Sequence, residues 1–315
     1  MTDFQQTLAT ITDYIKADIF PGASLALYDG KAWQEYYQGT QDGYVPVVSG
    51  LTYDLASVSK VVGVGTLCLF YLQTNKLDLD EKLSTYYPAV ENKTLTLRQL
   101  LSHSSGIDPF IPNRDELDQE GLIAAINAIK VRDDKPFLYT DINFILLGLM
   151  LEKLSGQSLD KLFDSEIFQP FGMSETQFGP VGIAVPTVKG IPGGTVHDPK
   201  ARVLKEHTGS AGLFSTLKDL EIFVNHYLTD DFAKNLTKNI SQSKKERSVA
   251  WDLQGDWILH TGYTGTFVLI NIPAQRAAIF LSNRTYYKDE RAQWIKDRDV
   301  LIEIIKEELI SEAVK

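Results

Sequence analysis

The segment "SVSK", residues 57–60, places two hydroxyls and an amine at the start of the apolar run "VVGVGTLCLFYL". On a helix, residues three apart share a face, so Ser57 and Lys60 can touch, whereas Ser59 is adjacent to the lysine and points elsewhere. The residues after Lys60 leave that helix no polar side, so the ammonium must be held inside the protein. A desolvated lysine has a lowered pKa and can accept the serine proton, while the helix N-terminus favours the charge developing on the oxygen. Ser57 then reads as an activated nucleophile. On these residues alone the alternative is a structural lysine neutralised by a carboxylate, with Ser57 serving only as a cap.

Spacing does not choose the pair, because S-x-x-K occurs four times: Ser57/Lys60, Ser158/Lys161, Ser215/Lys218 and Ser241/Lys244. At the last three, the polar settings "LDKLFDSE", "TLKDLE" and "SKKER" let the lysine reach water. No G-x-S-x-G, H-E-x-x-H, Walker A or G-x-G-x-x-G pattern occurs, which disfavours an α/β-hydrolase, a zinc protease, an NTPase and a dinucleotide enzyme. His103 and His226 are expected to be structural. His197 and His207, in "GTVHDPKAR" and "KEHTGSAG", are candidates for a cleft rim or a metal, although no zinc spacing supports a metal. The single cysteine, Cys68, sits in the apolar run and reads as a buried, inert thiol. No cofactor and no metal are expected.

These side chains need elements to hold them. Phe4, Leu8, Ile11 and Ile15 predict an N-terminal helix, and "GASLALYDGKAWQEYYQG" predicts two strands hinged at Asp29-Gly30. The stretch from about 75 to 250 reads as mostly helical, with a capping box at Thr96/Gln99 and a helix stop at Gly156. Strands return in "WILHTG", "GTFVLINIP" and "AAIFLSN", and "AQWIKDRDVLIEIIKEELI" closes as an amphipathic helix. The predicted fold class is therefore mixed α/β (α+β): an antiparallel sheet of five or more strands, flanked by helices from both chain ends. Its domains would be a discontinuous sheet domain, 1–74 plus 250–315, and an inserted mostly helical domain, 75–249, with a small-molecule cleft between them.

Composition excludes other classes. A net charge of −10 and a pI near 5.0 argue against nucleic acid as a partner. With 43% hydrophobic residues the chain can bury a large core. The run Val61–Leu72 is shorter than the ~18 residues of a span and is interrupted by two glycines, so no membrane segment is expected. "MTDFQQTLATITDYIK" has no basic region followed by an apolar one, and the expected location is cytoplasmic.

Three motifs in order, "SVSK" at Ser57, "YTD" at Tyr139 and "HTG" at His260, resemble the serine β-lactamase and penicillin-binding-protein superfamily. The likeness is strongest to its class C-like branch of DD-peptidases, D-aminopeptidases and family VIII esterases. Looser matches in "LTLRQLLSHSSGI", "YTDINFILLGLMLEKLSG" and "SAGLFSTLKDL" extend it over nearly the whole chain. The resemblance implies the β-lactamase/transpeptidase-like fold, with Ser57 as nucleophile, Lys60 as its general-base partner and Tyr139 as proton shuttle to the leaving group. A phenol needs a neighbouring cation, here Lys60, to act as a base near neutrality. It also implies that His260, Thr261 and Gly262 line the substrate cleft, with Gly262 letting substrate approach the backbone. The N–H groups of Ser57 and Tyr263 would form the oxyanion hole.

Two positions depart from the family pattern. Asp141 stands where asparagine is usual, which should raise the pKa of Lys60, move the base role toward Tyr139 and remove an amide donor from the cleft. Asn143 is no substitute, because i and i+2 face different ways on a helix. His260 stands where many β-lactamases have lysine, so binding of anionic substrates should improve as pH falls toward ~6.5. The expected function is acyl transfer: a serine hydrolase acting through an acyl-enzyme on a small ester, amide or short peptide, with penicillin-like amides poor substrates. The alternative is a non-hydrolytic or slowly acylating sensor of penicillins or peptidoglycan fragments.

Overall fold

A computed structural model describes residues 4–311. Its nine strands, in chain order, are β1 (Gly22–Tyr28), β2 (Trp33–Gly39), β3 (Thr52–Asp54), β4 (Gln177–Phe178), β5 (Leu213–Thr216), β6 (Asp252–Gln254), β7 (Trp257–Thr261), β8 (Phe267–Asn271) and β9 (Arg276–Ser282). Six form one antiparallel sheet in the order β2-β1-β9-β8-β7-β6. Strands from the two chain ends meet at β1 and β9, where Leu25 lies opposite Phe280. The β1–β2 turn falls at Asp29-Gly30 as predicted: Gly30 takes φ +88°, and the Asp29 carboxylate accepts from the N–H groups of Lys31 (2.8 Å) and Ala32 (2.9 Å).

Alternation along the strands gives the sheet two buried faces. On one, Leu25, Leu27, Leu269 and Phe280 pack against the terminal helices Gln5–Lys16 and Arg291–Ser311 through Ile11, Trp294, Leu301 and Ile305. On the other, Ala26, Ile258, Val268 and Ile279 join a core that runs without a break into the helices of the middle of the chain. The predicted punctuation is present there. Thr96 and Gln99 make both bonds of a capping box on the helix Leu97–Leu101, and Gly156 ends the helix Asp141–Ser155 with φ +71°.

The middle is less helical than expected. It contains β4 and β5, which join β3 in a second sheet of order β3-β5-β4, and an irregular stretch over residues 179–198. The sequence reading missed β3, β4, β5 and β6, which have three, two, four and three residues, too few for a period of two to show. It also judged the apolar run too short for a span. The segment Ala56–Gln73 does have the length and apolarity of one, but 78% of it is buried inside the fold, so the core accounts for its composition.

Candidate active site

One continuous helix was expected after Ser57. The chain instead makes a 3-10 turn at Ala56–Val58, a π-helical turn at Val61–Gly65 and an α-helix from Thr66 to Gln73. Gly63 is needed within the π turn, because a Cβ there would clash with the Phe163 ring. Ser57 and Lys60 still face each other. The fully buried Lys60 Nζ donates to Ser57 Oγ at 2.8 Å, to Asp141 Oδ1 at 2.7 Å and to the Ser210 carbonyl at 2.8 Å. Ser59 faces away and accepts from the Leu213 N–H at 3.1 Å.

All three ammonium hydrogens of Lys60 are therefore committed. Burial works against the charge, but the Asp141 carboxylate and then Tyr139 outweigh it and hold the Lys60 pKa above its ordinary value. The local expectation of a depressed lysine is overturned, while the effect expected from Asp141 is present. Both readings of the lysine hold at once: it is neutralised by a carboxylate, and it contacts the serine.

Asp141 opens the helix Asp141–Ser155, capped by Thr140, whose hydroxyl accepts from the Ile142 N–H at 3.2 Å. Its second oxygen lies 3.0 Å from Lys200 Nζ, which also meets Asp198 Oδ2 at 3.2 Å. Burial would raise the Asp141 pKa, but Lys60 and Lys200 hold it well below the carboxylate range. Lys200 is likewise raised, its two carboxylates outweighing burial. The result is a chain of alternating charge, Lys60–Asp141–Lys200–Asp198. Sequence reasoning missed Lys200 and Asp198. "HDPK" carries a readable helix start, Asp198 as N-cap and Pro199 at the first turn, but nothing in it points at the distant Asp141.

The nucleophile turn is clamped from several sides. Ala56, a non-glycine at φ +46°, is held by its N–H bond to Asp54 Oδ1 at 2.8 Å. The other oxygen of Asp54 accepts from the His197 N–H at 2.7 Å, tying the turn to the loop that leads into the helix carrying Lys200. Burial of Asp54 pushes its carboxyl up to about 6 against the pull of these two N–H groups. On the opposite side, Thr264 Oγ1 donates to the Asp54 carbonyl and Thr266 Oγ1 to the Leu55 carbonyl, both at 3.0 Å. Gly262 belongs to this clamp. A Cβ there would lie 2.7 Å from the Leu55 carbonyl and closer still to Thr266 Oγ1. The glycine is thus required by protein packing against the nucleophile segment, which the substrate-approach reading did not foresee.

Tyr139 is fixed by His103. The Leu138 N–H donates to the His103 carbonyl at 2.9 Å and the Thr140 N–H to His103 Nδ1 at 3.4 Å, while the two rings lie 4.4 Å apart. Because a backbone N–H faces Nδ1, that nitrogen accepts; the Asn143 amide, 2.9 Å away, donates to it, and the ring proton sits on Nε2. Asn143 is occupied here and with Ser105 at 2.7 Å, so it does not stand in for an amide at position 141. Lys60 Nζ lies 5.2 Å from the centre of the Tyr139 ring.

His260 is buried, and among the described residues its ring nitrogens have no hydrogen-bond partner. Burial, with Lys60 and Arg247 as neighbouring cations, holds it well below the usual histidine range. The expected gain of a positive charge near pH 6.5 is thereby removed. The next residue, Thr261, accepts from Arg298 Nη1 at 3.3 Å. The side chain of Tyr263 bonds to Asp289 and lies under Arg284, 4.7 Å from its ring.

These groups line two cavities of about 480 Å³ each. Ser57, Asp141, Lys200 and Tyr263 border the first, His260, Thr261 and Arg298 the second, and Tyr139 borders both. Lys60 lies beneath the wall. His197 reaches the first cavity, as its rim assignment expected, while His207 pairs with Glu152 at 2.8 Å and His226 stacks on Phe171. Burial pushes the Cys68 thiol up to about 12. Lys161 and Lys244 are exposed, and Lys218 is exposed and paired with Glu221 at 2.8 Å. Among the described residues no group of three or more His, Cys, Asp or Glu side chains is arranged to hold a metal.

The fold, and a serine–lysine pair facing a tyrosine in a cleft, define a class. The chain matches the β-lactamase/transpeptidase fold: it is similar to EstCE1, a hydrolase with promiscuous acyltransferase activity (TM-score 0.77, 17% identity, 94% of this chain and 97% of that one). It is also similar to a class C beta lactamase from Rhodobacter sphaeroides (TM-score 0.71, 19% identity, 94% and 99%). A putative D-alanyl-D-alanine carboxypeptidase of Escherichia coli K12 is 25% identical over 81% of this chain and 75% of its own length. The Beta-lactamase family model matches residues 8–302, and the chain belongs to that family.

Proposed function

We propose that the protein is a serine hydrolase that forms an acyl-enzyme on Ser57 from a small ester or amide. The observation that carries this reading is the 2.8 Å contact between Ser57 Oγ and a lysine whose hydrogens are all committed, at the wall of a cavity shared with Tyr139. Lys60, held as ammonium by Asp141, orients the serine hydroxyl and supplies positive charge; it does not start as the base. The phenolate form of Tyr139 takes the serine proton as Oγ bonds to the substrate carbonyl carbon, and the N–H groups of Ser57 and Tyr263 receive the oxyanion. The carbon–leaving-group bond then breaks, and the proton passes from Tyr139 to the departing oxygen or nitrogen. Water repeats the sequence on the acyl-enzyme and frees the acid.

Esters and peptide-like amides fit better than β-lactams, because the Asp141 carboxylate offers no N–H to a substrate. The likenesses to a named carboxypeptidase and to a named hydrolase lean the same way. A substrate carboxylate in the second cavity would meet Arg298 beside Thr261 rather than the neutral His260.

The test is a panel of short p-nitrophenyl esters, nitrocefin and D-alanyl peptides, assayed with the wild type and Ser57→Ala. Ester turnover that falls by more than about 10³-fold in the variant is expected. Stoichiometric labelling by a fluorescent penicillin without turnover would replace this reading by the sensor one.

A further inference from the structure

We infer that Lys200 is a specificity-determining residue: its free N–H reads a hydrogen-bond acceptor, an amide carbonyl or a carboxylate, on the acyl part of the substrate. The inference rests on the hydrolase reading above and deepens it. Lys60 cannot do this, since its three hydrogens go to Ser57, Asp141 and Ser210. Asp141 cannot, having only acceptors. Lys200 borders the same cavity as Ser57, and its side chain is 15% exposed. Among the described residues it pairs with two carboxylates, Asp141 at 3.0 Å and Asp198 at 3.2 Å. An ammonium has three donors, so one remains for the cavity.

The side chain is also pre-positioned. The two carboxylates fix the nitrogen from two directions, and Asp198 is itself the N-cap of the helix Pro199–Leu204, accepting from the Ala201 N–H at 2.8 Å. The loop before it is anchored through the His197 N–H to Asp54, the carboxylate that holds the nucleophile turn. Ser57 and Lys200 are therefore referred to one buried group, and Lys200 lies three polar contacts from Ser57 Oγ along Lys60 and Asp141. A donor held this firmly is bound with little further loss of freedom when substrate enters.

The acyl groups selected are those with an acceptor a few bonds beyond the scissile carbonyl, such as an N-acylated amino acid or the half-ester of a dicarboxylic acid. Plain acetyl or butyryl groups present nothing to Lys200.

The experiment compares p-nitrophenyl esters of N-acetylalanine and of succinic acid with the butyrate ester, in the wild type, Lys200→Met and Lys200→Gln, with thermal melts for each. The quantity read is the ratio of kcat/KM for the acceptor-bearing ester to that for butyrate. This ratio should fall about 10- to 100-fold in Lys200→Met, the factor of one charge-assisted hydrogen bond, mainly through KM. Lys200→Gln keeps an N–H donor and should fall less; it also carries the test if the methionine variant does not fold. An unchanged ratio, with both esters slowed alike, would overturn the inference and leave the hydrolase reading intact. If no ester shows Ser57-dependent turnover, both fall together.

Discussion

The two walls that meet at Tyr139 solve opposite electrostatic problems. On the Lys60 wall, four charged groups alternate in sign, and three of them are held in their ionised forms by their neighbours: Lys60 and Lys200 are raised, Asp141 is lowered. On the His260 wall, the imidazoles of His103 and His260 are buried beside cations, which holds both well below their usual range and keeps them uncharged. Burial alone would neutralise either set. The difference is made by one carboxylate. Asp141 compensates the lysines directly, whereas among the described residues no carboxylate bonds to either imidazole. The imidazoles thus add no charge on their side of Tyr139, where Arg247 and Arg298 are cations.

Removing that carboxylate breaks the comparison most severely. Asp141→Asn leaves two facing ammonium groups with Asp198 as the remaining anion, and should cost about 3 kcal/mol, read by urea unfolding at pH 7. It also separates the two possible bases. Asp141 holds the Lys60 pKa up, so its loss lets Lys60 deprotonate at lower pH. If catalysis needs Lys60 charged and Tyr139 as base, the alkaline limb of the kcat/KM profile moves to lower pH. If Lys60 is itself the base, the acid limb moves down and activity near neutrality rises. The first outcome is expected.

Asp54 sharpens the contrast, because it is a buried carboxylate with no cation against it. Its carboxyl, near 6 in the folded state against about 3.9 when unfolded, binds a proton more tightly in the fold. Its contribution to stability is fully present below the unfolded value and lost as pH rises through about 6, up to about 3 kcal/mol in all. Asp54→Asn removes this slope and turns an amide NH₂ toward one of the two N–H donors. Urea midpoints should therefore differ more between wild type and variant at pH 4.5 than at pH 7. A constant difference would show that Asp54 titrates normally.

How much of this was readable from sequence depends on distance along the chain. The Ser57–Lys60 contact spans three residues and follows from helical spacing, even though the local geometry is 3-10 and π rather than α. Asp29-Gly30, the Thr96 capping box and the Gly156 stop are likewise local signals. The order of three motifs, with the family resemblance, carried Tyr139 and His260 into the site. What was not legible is what long-range contact decides. Lys200 meets Asp141 across 59 positions and Asp54 meets His197 across 143, and "DPK" or "YDL" says nothing of either partner. The pKa of Lys60 and the silence of His260 depend on such partners and on burial, so a residue type known from sequence did not fix its charge. Gly262 shows the same limit: the glycine was visible, but the Leu55 carbonyl that requires it was not.

The smallest expected effect is at His260, and it is an absence. A cationic His260 would make carboxylate-bearing esters better substrates than neutral ones as pH falls through 6.5, since a histidine titrates there when unperturbed. Held well below that value by burial and by Lys60 and Arg247, it stays neutral across the range. The ratio of kcat/KM for the succinate half-ester to that for butyrate should then be flat between pH 5.5 and about 7.5, because Lys200, raised above its ordinary value by its two carboxylates, keeps its charge throughout. Taking the ratio cancels the titration of the catalytic groups common to both substrates. A rise toward low pH would put a charge on His260, and the contrast between the compensated lysines and the uncharged imidazoles would be lost.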